Sequence, residues 1–313
     1  MTMNFWEAQK SLRLRTWIAL IAFLGMTFAL AFIAEIAFRM FVQESADIFP
    51  VVGTLFVIVT LITALFQYLM YKNQGGSYVA ESLGASLVTR ETTHIKKAQL
   101  YHLVEEISIA SALPMPAVYV LPAPAINAFA AGLTPGSAAI AVTEGALKSL
   151  TREELQGVIA HEFGHIKNGD MRIGLQLAAM ISGFFVLLYL SFRVLDFSRF
   201  QRDENNKGNA TAIIAIILLA AGSLAWLGGT LLKSLVSRQR EYLADASAVQ
   251  FTRNPEGLIG ALLKIKHENT HAMPKYGKPF EHLYFENASS LFGLFHSHPP
   301  IDARISVLKG LKP

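Results

Sequence analysis

The chain has 313 residues, of which 52% are hydrophobic and only 16% charged, where an ordinary soluble domain carries about 25% charged residues; this excludes a disordered chain and assigns part of the sequence to lipid as its solvent. With 27 Lys and Arg against 23 Asp and Glu the formal charge is +4, far from the clustered basic stripe of a nucleic-acid binder, so nucleic acid is set aside as a partner. The absence of cysteine excludes disulfides, a thiolate nucleophile and a Cys-ligated metal.

Four stretches free of charged side chains, 17–34, 49–71, 173–192 and 210–232, reach the roughly 18 residues that a helix needs to cross the hydrocarbon core. The first exceeds the ~7 to 15 apolar residues of a signal peptide and is closely followed by a second, so it reads as an uncleaved span. The fourth carries Ala221, Ala225 and Gly229 at intervals of four. This is either a small-residue face that admits another helix or an ordinary apolar span. The polar remainder forms one lobe, which divides the chain into a transmembrane hairpin (1–72), a first part of the lobe (73–170), a second hydrophobic hairpin (171–233) and a second part of the lobe (234–313). Lys10, Arg13 and Arg15 before the first span, with Lys72, Lys96 and Lys97 after the second, outnumber Arg39 in the first connecting loop. That asymmetry places the termini and lobe in the cytoplasm. Arg193, Arg199, Arg202 and Lys207 in the second hairpin loop oppose it.

Within the lobe, 82–113 has helical apolar spacing and stops before Pro114 and Pro116. Strands are expected at 117–121, 126–131 and 138–142, bounded by Pro and Gly. Thr151 with Glu154 makes a capping-box pattern, and Leu155, Val158, Ile159 and Phe163 supply an apolar helical face up to Asn168-Gly169.

That helix contains His161-Glu162-Phe163-Gly164-His165. In H-E-x-x-H, two histidines one turn apart can direct ring nitrogens at one zinc ion, and the glutamate is placed to take a proton from the attacking water as general base. Gly164 carries a helix penalty of about 1 kcal/mol relative to Ala, which points to close packing or ligand access. A catalytic zinc usually has three protein ligands and one open position. Because 173–232 reads as a hairpin, the chain returns to the same side of the membrane, where Glu241 is the leading candidate for the third ligand. Asp245, four residues on, is a like-charged helical neighbour that needs cationic compensation. Arg238 and Arg240 supply it on one reading; on the other, Asp245 accepts the second ring N–H of a metal-bound histidine.

HEFGH, Glu241-x-x-x-Asp245 within SRQREYLADASA, the NAFAAG segment and the late HSHPPIDARI segment together resemble the HtpX family of bacterial membrane zinc metalloproteases, relatives of the CaaX prenyl endoproteases. The resemblance implies an α+β, zincin-like lobe with a small sheet on about four transmembrane helices. It also implies one Zn2+ per chain, polypeptide substrates drawn from membrane-associated or misfolded proteins, membrane-protein quality control under stress, and a bacterial inner-membrane location with the active site facing the cytoplasm. It supports His161, His165 and Glu241 as ligands, Glu162 as base and Asp245 as the histidine's orienter. It further implies that Asn127, Ala128 and Phe129 lie on an edge strand that pairs with substrate backbone, against the alternative of a plain buried strand. His298 and Arg304 would stabilise the oxyanion or hold Asp245, against the alternative of a helix start with a structural salt bridge. His94, His102, His267, His271, His282 and His296 have no ligand-like spacing, and 271–286 reads as a loop beside the cleft. Rival readings are a prenyl-protein endopeptidase, which needs a large intramembrane chamber, and a membrane transporter or scaffold with an incidental H-E-x-x-H.

Overall fold

A computed structural model describes residues 5–42, 49–200, 207–268 and 299–310. In chain order these form α1 (Phe5–Val42), α2 (Val51–Ser82), β1 (Ser86–Val88), α3 (Ile95–Ser111), β2 (Ala117–Leu121), β3 (Ala128–Ala131), β4 (Ala139–Thr143) and α4 (Glu144–Ser149). They continue as α5 (Arg152–Asn168), α6 (Asp170–Phe200), α7 (Lys207–Thr252), α8 (Pro255–Glu268) and α9 (Ile301–Gly310). The chain divides into two compact units, Met1–Tyr68 with Leu177–Lys233, and Leu69–Gln176 with Ser234–Pro313. The class is α+β, as expected.

Four helical stretches are long and apolar enough to cross a membrane: Leu20–Met40, Val51–Ser82, Asp170–Ser198 and Thr211–Leu231. In the first unit they pack around aromatic rings, with Phe23 stacked on Phe184 at 4.9 Å and Phe56 tilted against the same ring at 6.3 Å. Missing side chains let the helices approach. A Cβ on Gly183 would lie 2.5 Å from the Thr60 carbonyl oxygen, and one on Gly229 would lie 2.9 Å from the Phe23 ring. Ala225 is wholly buried, so the 221/225/229 stripe serves as a helix-admitting face. Phe28, Phe32, Ile33, Ile62 and Phe66 are exposed, an arrangement stable only where lipid replaces water. Glu35 is the buried exception. Its carboxylate accepts the backbone N–H groups of Val52 and Gly53 at 2.9 and 3.0 Å and the Arg39 Nε–H at 2.9 Å, capping the start of α2.

The second unit is built on a sheet of order β1-β2-β4-β3, with β2 and β4 parallel and both outer pairs antiparallel. Parallel pairing in the middle requires a crossover, and β3, which precedes β4 in the chain, is left at one edge. The expected helix over 82–113 is corrected: α2 ends at Ser82, β1 intervenes, and α3 starts only at Ile95. Gly84 at φ 82° turns the chain, a conformation that glycine adopts without steric cost. Ser86 and Val88 then find partners in Val120 and Val118. Apolar spacing alone did not register that turn. The short α4 was not anticipated either; the Thr143 hydroxyl caps it by accepting the Ala146 N–H.

α5 begins and ends where its sequence signals lie. The Thr151–Glu154 capping box is formed, and Gly169 closes the helix in the left-handed region at φ 75°. Two absent side chains bring its neighbours close. A Cβ on Gly157 would sit 2.6 Å from the Leu258 nitrogen on α8, and one on Gly164 would sit 2.8 Å from the Ala244 Cα on α7. Lys264 of α8 donates to Glu154 and to the Ser149 carbonyl at 2.7 and 2.8 Å, fixing the start of α5.

Candidate active site

The Gly164–Ala244 approach brings the two histidines of α5 against the stretch of α7 that carries Glu241 and Asp245. His161 Nε2 and His165 Nε2 lie 3.1 Å apart. Each lies 3.5 Å from a Glu241 carboxylate oxygen. The two 3.5 Å spacings end on different oxygens, Oε2 facing His161 and Oε1 facing His165, and one donor atom from each of the three residues lies within 4.8 Å of the others, a grouping able to hold a metal ion.

The outer ring nitrogens explain why the inner ones point together. His161 Nδ1–H donates to Asp245 Oδ1 at 2.8 Å. Arg304 grips that carboxylate from the far side, its Nη2 donating to Oδ1 at 2.6 Å and its Nε to Oδ2 at 2.9 Å. With its proton committed to Asp245, His161 Nδ1 is no acceptor for Arg304 Nη2 at 3.3 Å. His165 Nδ1–H donates to Asp170 Oδ2 at 3.1 Å, and Arg240 Nε lies 3.4 Å from Asp170 Oδ1. Both Nε2 atoms therefore turn toward each other and toward the Glu241 carboxylate. The donor set and its spacing fit a divalent metal.

The electrostatics agree. Burial, the largest influence, and Arg304 both push the His161 pKa down, yet its hydrogen bonds to Asp245 and Glu241 outweigh them and the pKa rises above the ordinary value. His165 behaves likewise: burial and the neighbouring His161 lower its pKa, and Asp170 with Glu241 outweigh them and raise it. For Asp245 burial pushes upward, but Arg304 and then His161 prevail and hold the carboxyl at about 2. Burial lowers the Arg240 pKa, against the opposing pull of Asp170 and Glu241.

Glu162 is buried on α5 beside His161. Ala128 and Phe129 lie on β3 at the sheet edge, and Asn127 immediately precedes it. The Asn127 N–H donates to the Thr143 hydroxyl at 2.9 Å, and its side-chain oxygen accepts the Ala128 N–H at 2.9 Å. Arg304, on α9, touches Asp245, so of its two anticipated roles the structure brings it to the carboxylate-holding one. Compensation of Asp245 comes from Arg304, while Arg240 pairs with Asp170. His298 lies outside the described residues, as do His271, His282, His296 and the expected loop 271–286. His94 caps α3, accepting the Lys97 N–H on its ring; His102 is exposed beside Glu105, and His267 is exposed. Asp170 was missed. Its signal was a carboxylate directly after the Asn168-Gly169 helix stop, five residues beyond His165.

The model of peptidase family M48 matches residues 94–312. A protein named Protease HtpX homolog from Streptococcus uberis is 38% identical over 225 residues, covering 70% of this chain and 75% of its own length. One of the same name from Streptococcus pneumoniae is 34% identical over 303 residues, covering 94% and 96%. Among solved structures, the crystal structure of S. mikatae Ste24p matches at 19% identity and a TM-score of 0.47, over 94% of this chain and 67% of that one.

Proposed function

The chain belongs to peptidase family M48 and is a membrane metalloprotease, and from that premise we propose that it holds one zinc ion on His161, His165 and Glu241 and uses Glu162 as general base. The observation that carries this reading is the convergence of one donor atom each from His161, His165 and Glu241 within 4.8 Å of one another. When bound, zinc supplies Lewis acidity, which polarises a carbonyl and makes water a nucleophile near pH 7.

The protein's own groups do the rest. Asp245, locked by Arg304, keeps the His161 proton on Nδ1 and turns Nε2 toward His165 and Glu241 to ligate. Glu162 accepts the proton of the attacking water and returns it to the leaving amine. Substrate backbone docks along the edge formed by Asn127, Ala128 and Phe129, a mode that gives affinity with little sequence preference and suits misfolded or membrane-associated polypeptides. His298 remains the proposed oxyanion donor. The excess of Lys and Arg flanking the first two spans supports a lobe on the cytoplasmic side of a bacterial inner membrane, where quality control of membrane proteins would be its task.

Metal analysis combined with proteolysis tests the proposal. Wild-type protein should carry one zinc per chain and cleave an unfolded substrate such as casein. His165→Ala should lose the metal, and Glu162→Gln should keep it while losing cleavage. Hydrolysis retained by Glu162→Gln would refute the base, and zinc retained by Glu241→Ala would refute the third ligand.

A further inference from the structure

We propose that Asp170 and Arg240 are positioning residues for His165, a second carboxylate–guanidinium clamp that mirrors Asp245 and Arg304 at His161. This inference rests on the zinc reading above and assigns roles to two residues that the H-E-x-x-H pattern does not contain.

Four observations carry it. Asp170 Oδ2 takes the Nδ1–H of His165 at 3.1 Å, and Arg240 stands 3.4 Å from its other oxygen. Both residues are buried, at 8% and 5% exposure, and a buried carboxylate and guanidinium each cost several kcal/mol to desolvate unless paired. His165 is also the donor with least packing to hold it. Its side chain is 16% exposed where His161 is fully enclosed, so its ring direction depends more heavily on a hydrogen bond. Lastly, the chain is shaped for the contact. Gly169 breaks α5 in the left-handed region, and Asp170 restarts the backbone as the first residue of α6, which turns its carboxylate back to a ring five residues behind.

Arg240 ties this clamp to Glu241, as Asp245, one turn further along α7, and Arg304, 3.6 Å from Glu241, tie the other. It directly precedes Glu241, so one turn of α7 carries both a proposed ligand and the cation that holds another ligand's orienter. With Asp245 on the same helix, a displacement of α7 reaches all three donors together.

Zinc affinity by competition with a chelator, measured beside thermal stability in detergent, tests the clamp on the full-length protein. Asp170→Ala should weaken zinc binding by about 10- to 100-fold and lower kcat with little change in KM. Asp170→Asn should fall between it and wild type, and Arg240→Met should act in the same direction, with Arg240→Lys restoring part of the loss. Lys264→Met, which breaks the ion pair of α8 with α5, serves as the stability control; it should lower the melting temperature and leave zinc affinity unchanged. The proposal is overturned if Asp170→Asn and Arg240→Met resemble Lys264→Met, losing stability with wild-type zinc affinity. Wild-type protein that takes up no zinc would instead remove the metal reading itself, and this clamp with it.

Discussion

The two compact units handle buried hydroxyls alike, Ser111 and Ser247 of the lobe also donating to carbonyls of their own helices, and differ in how they handle buried charge. In the membrane unit the buried hydroxyls of Thr27, Ser182, Ser191 and Ser198 donate to carbonyls three or four residues back on their own helices, and Glu35 is satisfied by backbone N–H groups and the Arg39 one turn away. In the lobe the buried ionisable groups reach across the sequence: Arg304 to Asp245, 59 residues away, and His161 to Glu241. Local pairing caps and packs helices. Pairing between distant elements brings one donor atom each from His161, His165 and Glu241 within 4.8 Å of one another.

The distinction is sharpest where one charge is removed from each unit. Arg304→Met leaves Asp245 buried without its counter-ion, a loss of about 3 to 5 kcal/mol; unfolding in detergent should show it, together with weakened zinc binding. Glu35→Gln should cost less, about 1 to 3 kcal/mol, and leave the zinc affinity of the lobe untouched. Equal losses of metal from both variants would erase the contrast. A matched pair of glycines follows. Gly164→Ala forces a Cβ onto Ala244 and Gly183→Ala forces one onto Thr60, each an overpacking of about 1 to 3 kcal/mol. The first should also abolish most proteolysis, because it pushes Glu241 away from the histidines; the second should lower only the melting temperature. The acid response should be smaller still. The Asp245 carboxyl is held at about 2, below its ordinary 3.8, so its stabilisation is present above pH 4 and is lost as pH falls through 2, a loss of about 2 kcal/mol in total. Urea unfolding across that window should show the slope in wild type and a weaker one in Arg304→Met, and identical slopes would assign the acid loss elsewhere.

The same division decides how much could be read from the chain alone. The four spans, the capped start of α5, its end at Gly169 and strand β2 were legible because each depends on neighbours in sequence. The helix expected over 82–113 failed at Gly84, where a single residue reverses the chain and tertiary pairing with β2 takes over. His161 and His165 announced themselves by spacing, and Glu241 by the return of a hairpin. Asp170 did not, since its contact with His165 depends on the backbone reversal at Gly169. Arg304 was paired with Asp245 only through the family resemblance and as one of two roles, because nothing local ties α9 to Asp245.

Among the described residues, the buried interior around the histidines holds two guanidinium groups, Arg240 and Arg304, and four carboxylates, Glu162, Asp170, Glu241 and Asp245. Counted as formal charges, that interior is two positive charges short of neutrality, an imbalance that a low-dielectric medium resists. A dication supplies both at once. Two protons on the imidazoles are the equivalent currency, and against the pull of burial both rings do hold their protons more tightly than free histidine. Valence is therefore the first filter on what this centre accepts. By the same count a monovalent ion leaves it anionic.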